Sequence, residues 1–188
     1  MNWEVTAAPT VEPITADEAV LHCRLDNPSP AEIAEVEGWI RAARTYCENA
    51  LDLAIPAQEI TAYAPGFADR MTLPMANLLE VVSVQYLDAA GALQPLNPAA
   101  YRTSKGARPA YIYRASGQSW PDTLEDDAAV TITYRAGFAV IPEDIKQAVK
   151  LLVGSYSEHR ETTVLNNVPA EIGHAVTAIL HKYRRMGV

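Results

Sequence analysis

The stretch from Val130 to Glu161 changes hydrophobic period partway, and no other feature constrains the fold so tightly. Val130, Ile132 and Tyr134 alternate with Thr131 and Thr133, the period of a half-buried strand. Gly137 breaks the alternation. Pro142 suits the first turn of a helix, where no backbone N–H is required. Glu143 and Asp144 place negative charge at the positive end of the helix dipole. Ile145, Ala148, Val149, Leu152 and Tyr156 then recur at helical spacing. A strand therefore runs through a short turn into a long amphipathic helix.

Helical sequence also precedes the β-rich middle. Thr15 and Glu18 have the spacing of a capping box, in which each side chain satisfies a backbone N–H at the helix start. A short helix should follow to about Leu25. Ser29 and Glu32 repeat the signal, with Pro30 at the first helical position. Ile33, Val36, Ile40, Ala43, Cys47 and Leu51 then mark one apolar stripe on a long helix. Pro169 opens a last helix, with Ile172, Ala175, Val176, Ile179, Leu180 and Tyr183 facing inward.

Between these helices the pattern predicts about six short strands. In one, Val82, Val84 and Tyr86 should share a face, with Ser83 and Gln85 on the other. Asp88 to Gly91 reads as a turn, and Pro95 confines the returning strand to a sheet edge. Residues 1–13 hold Pro9 and Pro13 and no period, which predicts an extended arm, loose unless a partner holds it. Residues 161–168 read as a surface loop. The expected fold is α+β. Helices at about 15–25, 30–52, 142–160 and 169–185 form a four-helix bundle-like core from residues 1–55 and 137–188. A small antiparallel β subdomain, residues 56–136, is inserted between helix 2 and helix 3 as a sandwich or curled sheet.

Composition removes several classes of function. With 188 residues, 49% hydrophobic and 20% charged, the chain has the make-up of a soluble globular protein. No apolar run approaches the roughly 20 residues that cross a bilayer, and the first residues lack a basic-then-apolar pattern. A cytoplasmic origin is expected. The net charge of −8 argues against general nucleic-acid binding, which draws on Lys/Arg contacts to phosphate. Residues 1–56 carry 3 basic and 10 acidic side chains, whereas residues 142–188 carry 6 and 5. Such a gradient suits head-to-tail contact between copies, or simply solvated helix faces. Cys23 and Cys47 fall about 20 Å apart on antiparallel helices, too far for a disulfide, so both are read as thiols.

Each hint of chemistry has a plainer reading. His174 and His181 are two turns apart, roughly 10 Å, too far to share a zinc ion, and His22 and His159 lack ligand spacing. Glu125, Asp126 and Asp127 lack the glycine turn and closing glutamate of a calcium loop. The basic loop 103–108 lacks phosphate-loop glycines. Ser155, Ser157 and His159 lie close on one helix with no nucleophile elbow around them. No catalytic, cofactor or metal residue is assigned. Trp120, beside Pro121 in a loop, is a possible interface anchor.

Several motifs, in order, carry a resemblance. They are Ile14-Thr-Ala-Asp-Glu-Ala-Val-Leu-His-Cys-Arg-Leu-Asp26, Ile40-Arg-Ala-Ala-Arg-Thr-Tyr-Cys-Glu-Asn49, Leu73-Pro74, Val82-Ser-Val-Gln-Tyr-Leu-Asp88 and Gly91. Trp120-Pro121, Thr133-Tyr-Arg-Ala-Gly137, Ile141-Pro-Glu-Asp-Ile-Lys-Gln-Ala-Val-Lys-Leu-Leu-Val153 and Arg160 complete the set, and Tyr183-Arg184 fits the ending. Over residues 14–185 the chain resembles the head–tail connector proteins of long-tailed phages, also called adaptor or head-completion proteins, in the branch with a β insertion. The resemblance implies a non-enzymatic structural protein of a phage, prophage or gene-transfer particle. It implies a ring, usually of twelve copies, that binds the portal protein and docks the next neck or tail protein. Genomic DNA would pass through without specific binding, and no cofactor or membrane is involved. The protein would assemble in the host cytoplasm and end in the virion neck.

The family's portal contact maps to His181, Lys182, Tyr183, Arg184, Arg185 and Met186. An acidic channel wall would repel DNA phosphate, and Glu32, Glu35 and Glu37 are expected to line or rim it. The alternatives are a neck or tail-completion protein at another ring, and a small ligand-binding module or enzyme using the β insertion.

Overall fold

A computed structural model describes residues 1–75, 77–104, 106–107, 109–159 and 169–183. The chain is α+β, with four α-helices and antiparallel sheets. It divides into two compact units. One comprises Met1–Thr10 and Ala57–Ala139, the other Val11–Pro56 and Val140–Val188. The loop expected over 161–168 lies outside the described residues.

The helical unit holds α1 (Ala16–Cys23), α2 (Pro30–Leu51), α3 (Glu143–Glu158) and α4 (Ala170–Leu180). Both capping boxes form as the sequence predicts. Thr15 Oγ1 accepts from the Glu18 N–H at 3.1 Å while the Thr15 N–H donates to Glu18 Oε2 at 3.0 Å. At α2 the Ser29 N–H donates to Glu32 Oε2 at 2.7 Å and Ser29 Oγ accepts from the Glu32 N–H at 3.4 Å. Such caps each stabilise a helix start by about 1 kcal/mol. α2 ends at Asp52 in the left-handed region, with φ 54°.

The stripe of α2 is buried as Val36, Trp39, Ile40, Ala43, Cys47 and Leu51. It packs against α3, nearly a hundred residues later, which buries Ile145, Ala148, Val149, Leu152, Val153 and Tyr156. α1 packs on both, and α4 closes on α3 with Val176 and Leu180. Each fully buried aliphatic side chain contributes about 1.5–3 kcal/mol, so this long-range seam outweighs every helix cap. Lys150 Nζ reaches Glu18 Oε1 at 3.1 Å, tying α3 to α1.

A buried polar cluster runs through this unit. Arg44 Nη1 contacts Glu48 Oε2 at 2.8 Å, and Arg44 Nε contacts Glu12 Oε2 at 2.8 Å. The Ile55 N–H donates to Glu48 Oε1 at 2.9 Å. Glu48 is only 5% exposed. Burial pushes its carboxyl above the ordinary range, against the Ile55 N–H and the Arg44 charge, which lower it. Beside it, burial and the Glu48 charge push the Cys47 thiol up to about 12. Neither cysteine is in a disulfide.

The β unit contains β1 (Asn2–Ala7), β2 (Gln58–Ala64), β3 (Arg70–Thr72), β4 (Leu78–Leu87), β5 (Leu93–Pro95), β6 (Tyr101–Thr103), β7 (Tyr111–Arg114) and β8 (Val130–Ala136). They form a five-stranded sheet of order β1-β2-β8-β4-β5 and a three-stranded sheet of order β3-β7-β6, antiparallel throughout. β8 is central, with Val130, Ile132, Tyr134 and Ala136 buried at the alternation the sequence shows. The Tyr134 hydroxyl donates to the Pro74 carbonyl at 2.5 Å. Gly137, at φ 138°, ends the strand in a conformation few side chains tolerate. β5 is an edge strand, as Pro95 requires.

Two expectations are corrected. Residues 2–7 are not a loose arm; they pair antiparallel with β2, Trp3 opposite Ala62 and Val5 opposite Ile60. Their partner lies more than fifty residues away, so no local period announces the strand. Val82 does not share the buried face of Val84. A register shift between Val81 and Ser83 inserts it as a bulge, leaving it 51% exposed while Val84 is buried.

Two outcomes are expected. Replacing Arg44 by Met leaves Glu48 buried without its cation, and urea denaturation should show a loss of about 3–5 kcal/mol, much of it recovered in the Arg44→Met/Glu48→Leu double variant. Cys47 should resist alkylation in the native protein at pH 8 and react fully in denaturant, as read by mass spectrometry of the labelled peptides.

Candidate functional site

The residues expected to matter are surface residues rather than members of one cleft. After α4 the chain makes a 3-10 turn, His181–Tyr183. Lys182 pairs with Asp144 in the first turn of α3, and the Tyr183 hydroxyl donates to Asp144 Oδ2 at 3.5 Å. Lys182 Nζ also lies 4.9 Å from the Tyr183 ring centroid. The Lys182 ammonium holds the Asp144 carboxyl below the usual carboxylate range, and Asp144 raises Lys182 in return. His181 lines a small cavity of about 140 Å³ with Ala50, Leu51, Thr177 and Leu180. Arg184, Arg185 and Met186 lie outside the described residues.

Glu32, Glu35 and Glu37 are all exposed. Glu32 caps α2, as above, and Glu37 lies 3.9 Å from Arg41 in an open i,i+4 pair of little energetic weight. At about 100° per residue, Glu35 and Glu37 project roughly 160° apart, flanking the buried stripe on opposite sides.

Trp120 is committed within its own unit. Its ring stacks on Phe67 with centroids 4.6 Å apart and planes at 6°, and Nε1 donates to the Ala68 carbonyl at 3.1 Å. Phe67 meets Tyr86 edge-on at 5.8 Å. Such ring pairs are worth about 0.5–1.5 kcal/mol each beyond burial. The indole therefore pins the 65–68 loop, and its remaining half-exposed surface is available to a neighbour.

One grouping was invisible in the sequence. His22, Ser155, Glu158, His159 and Glu171 line a cavity of about 360 Å³ in the helical unit. The His22 ring comes so close to Gly154 that a Cβ there would sit 3.3 Å from Nε2. Helix packing, not spacing, joins these residues. His159 Nδ1 lies 3.0 Å from the Ser155 carbonyl oxygen, a backbone contact rather than a step toward the serine hydroxyl. Among the described residues no group of three His, Cys, Asp or Glu side chains is placed to hold a metal ion. Among them, too, no helix is long and apolar enough to cross a membrane.

Each of the two units is built around a packed core, and the candidate residues lie at their surfaces. The chain belongs to the head completion protein family, whose model matches residues 14–186. Its structure is similar to a chain in the virion of a native gene transfer agent particle, with 25% identity, a TM-score of 0.79, and coverage of 100% of this chain and 97% of that one. It is similar to a chain in the neck of an empty particle of the same kind solved with C6 symmetry, at 26% identity, TM-score 0.75 and the same coverage. A third, in the neck of the native particle solved with C12 symmetry, is 23% identical with a TM-score of 0.72 over the same coverage, and speaks to the fold alone. No curated protein matches the chain. It is a structural head–tail connector protein of a phage-like particle.

The sign of the Asp144 contact sets a test. A carboxylate whose folded pKa is depressed contributes stability above its ordinary value near 4, lost as pH falls through the lower folded value. The protection factors of residues 177–183, which divide out the intrinsic pH dependence of exchange, should be highest at neutral pH and fall as pH drops below about 4. Asp144→Ala should show the lower protection factors already at pH 7.

Proposed function

We propose that copies of this chain form a ring beneath the portal of a DNA-filled head and present a docking surface to the next neck or tail protein. The carrying observation is the match to a chain of a neck solved with C6 symmetry, whole length against nearly whole length. In this reading the helical unit is the body, and residues 57–139, inserted between α2 and α3 and joined by the N-terminal strand β1, extend the contact surface. The protein acts without catalysis or cofactor. It assembles in the host cytoplasm before entering the particle.

The portal contact is carried by the C-terminal segment, His181, Lys182 and Tyr183 with Arg184, Arg185 and Met186. Its basic side chains suit an acidic partner surface. The exposed carboxylates Glu32, Glu35 and Glu37 rim the channel, where they repel DNA phosphate and keep the genome sliding. Trp120 anchors a neighbouring protein through the part of its ring that Phe67 leaves open.

The experiment is electron microscopy of the protein mixed with its portal, run beside a chain lacking residues 181–188. Among the described residues the last core side chain in this region is Leu180, 2% exposed, so the truncated chain should keep its circular dichroism and lose only the small stabilisation of the exposed Asp144 contact. The full chain should add a ring to the portal and the truncated chain should not. Portal capture by both would reject the C-terminal assignment. Co-purification with tail protein alone would move the chain to another ring of the neck.

A further inference from the structure

The exposed face of the three-stranded sheet carries two arginines that, among the described residues, meet no carboxylate. β7 is the middle strand, and Tyr113 on it lies opposite Arg70 of β3 and Arg102 of β6. The strand period puts Arg70, Tyr113 and Arg102 in one row across the sheet, with Tyr111 and Thr72 on the same face. Met71 and Ile112 take the other face and are buried. The arginine backbones are two strand spacings apart, about 10 Å. Arg70 and Arg102 are exposed, and Tyr113 is 38% exposed.

Among the other described Lys and Arg side chains six are paired, while Arg24 and Arg114 meet no carboxylate. Arg41, Arg44, Arg135, Lys146, Lys150 and Lys182 each meet a carboxylate. Among the described residues neither Arg70 nor Arg102 does. Arg70 lies over the Tyr111 ring, its Cζ 3.5 Å from the centroid, and Arg102 Nη1 donates to the Tyr101 carbonyl at 3.1 Å. Two arginines thus share one exposed sheet face without a carboxylate in a chain of net charge −8, so carboxylates on another copy are abundant partners.

The same unit carries the complementary surface. Asp122, Glu125, Asp126 and Asp127 are exposed, and among the described residues none forms an ion pair. Their loop is held in shape. The Leu124 N–H donates to the Leu87 carbonyl at 3.0 Å, and Asp126 Oδ1 accepts from the Ala128 N–H at 2.7 Å. The two surfaces belong to one unit yet do not pair with each other within the chain.

We propose that the Arg70–Tyr113–Arg102 row of one copy docks the acidic 122–127 loop of a second copy. Two different patches meeting in this way make a heterologous contact, the kind that closes a ring when the rotation fits. The guanidinium forks match carboxylates in both charge and geometry. Nucleic acid fits less well, because the Arg70 guanidinium already covers the Tyr111 ring on which a base would stack. The inference rests on the ring reading for its biological setting, but its test needs neither portal nor particle.

The test is a charge exchange read by sedimentation velocity up to millimolar protein, at low and high salt. Two variants are made in the full chain, Arg70→Glu/Arg102→Glu and Glu125→Lys/Asp126→Lys/Asp127→Lys. All five positions are exposed, so both variants should melt like the parent. The parent should self-associate at low salt and dissociate as salt screens the contact. Each variant alone should associate at least about tenfold more weakly, and an equimolar mixture should recover association, since every docking pair is again opposite in sign. A parent that stays monomeric, variants that associate like the parent, or a mixture without recovery would each overturn the proposal. So would loss of DNA-fragment binding in the first variant with self-association unchanged, which would give the face to nucleic acid. Failure of the ring reading would instead appear as a chain that associates as proposed yet never joins the portal.

Discussion

The Arg44 cluster is the constraint on which the helical unit depends. One guanidinium, projecting from the middle of α2, holds Glu12 and Glu48 at 2.8 Å each, and Glu48 also accepts the Ile55 N–H. Those partners lie near the two ends of the segment 11–56. A hydrophobic contact would hold the same pieces together but would not fix their register. A buried carboxylate that needs both a guanidinium and a backbone N–H accepts essentially one arrangement, because any other leaves a charge or donor unmet. Specificity is bought here with desolvation, and the raised pKa of Glu48 is its trace.

What the sequence disclosed was the local part of this scheme. Thr15 with Glu18 and Ser29 with Glu32 mark helix starts because the partners sit within one turn and the geometry is set by the backbone. The stripes of α2 and α3 were equally plain, since burial on one face imposes the helical period. The strand β8 and the edge position of Pro95 followed from the same kind of rule. What stayed hidden was non-local. Residues 2–7 become a strand only because β2 supplies the hydrogen bonds. Val82 leaves the core because a bulge shifts the register of β4 against β8. Arg44 reads as one more solvated arginine until Glu12 and Glu48 are placed around it.

The candidate surfaces divide along the same line. The C-terminal basic segment and the acidic start of α2 are runs in the sequence and were found there. The Asp144 contact with Lys182 and Tyr183 was not, although the acidic first turn of α3 was noted for its effect on the helix dipole. The arginine row was missed for a different reason. Arg70 and Arg102 fall on short strands separated by more than thirty residues, and each alone is unremarkable. Only the order β3-β7-β6 places them on either side of Tyr113.

A connector must hold its own shape while its surfaces take up and release partners, and the distribution of charge in this chain serves that division. Ion pairs that fix the fold are buried or tie one helix to another, as with Arg44 and Lys150. The charges of the proposed contact lie on a sheet face and a loop, where they bear on no core residue. A helix-only protein of this length would have to draw its contact surface from the outer faces of the helices that form its core. The β unit removes that conflict. Its central strand, β8, buries every second residue from Val130 to Ala136, while its second, smaller sheet carries exposed polar residues on one face. A packed core and exposed charge are the two properties that let one protein meet another without refolding, because little ordering entropy remains to be lost on contact.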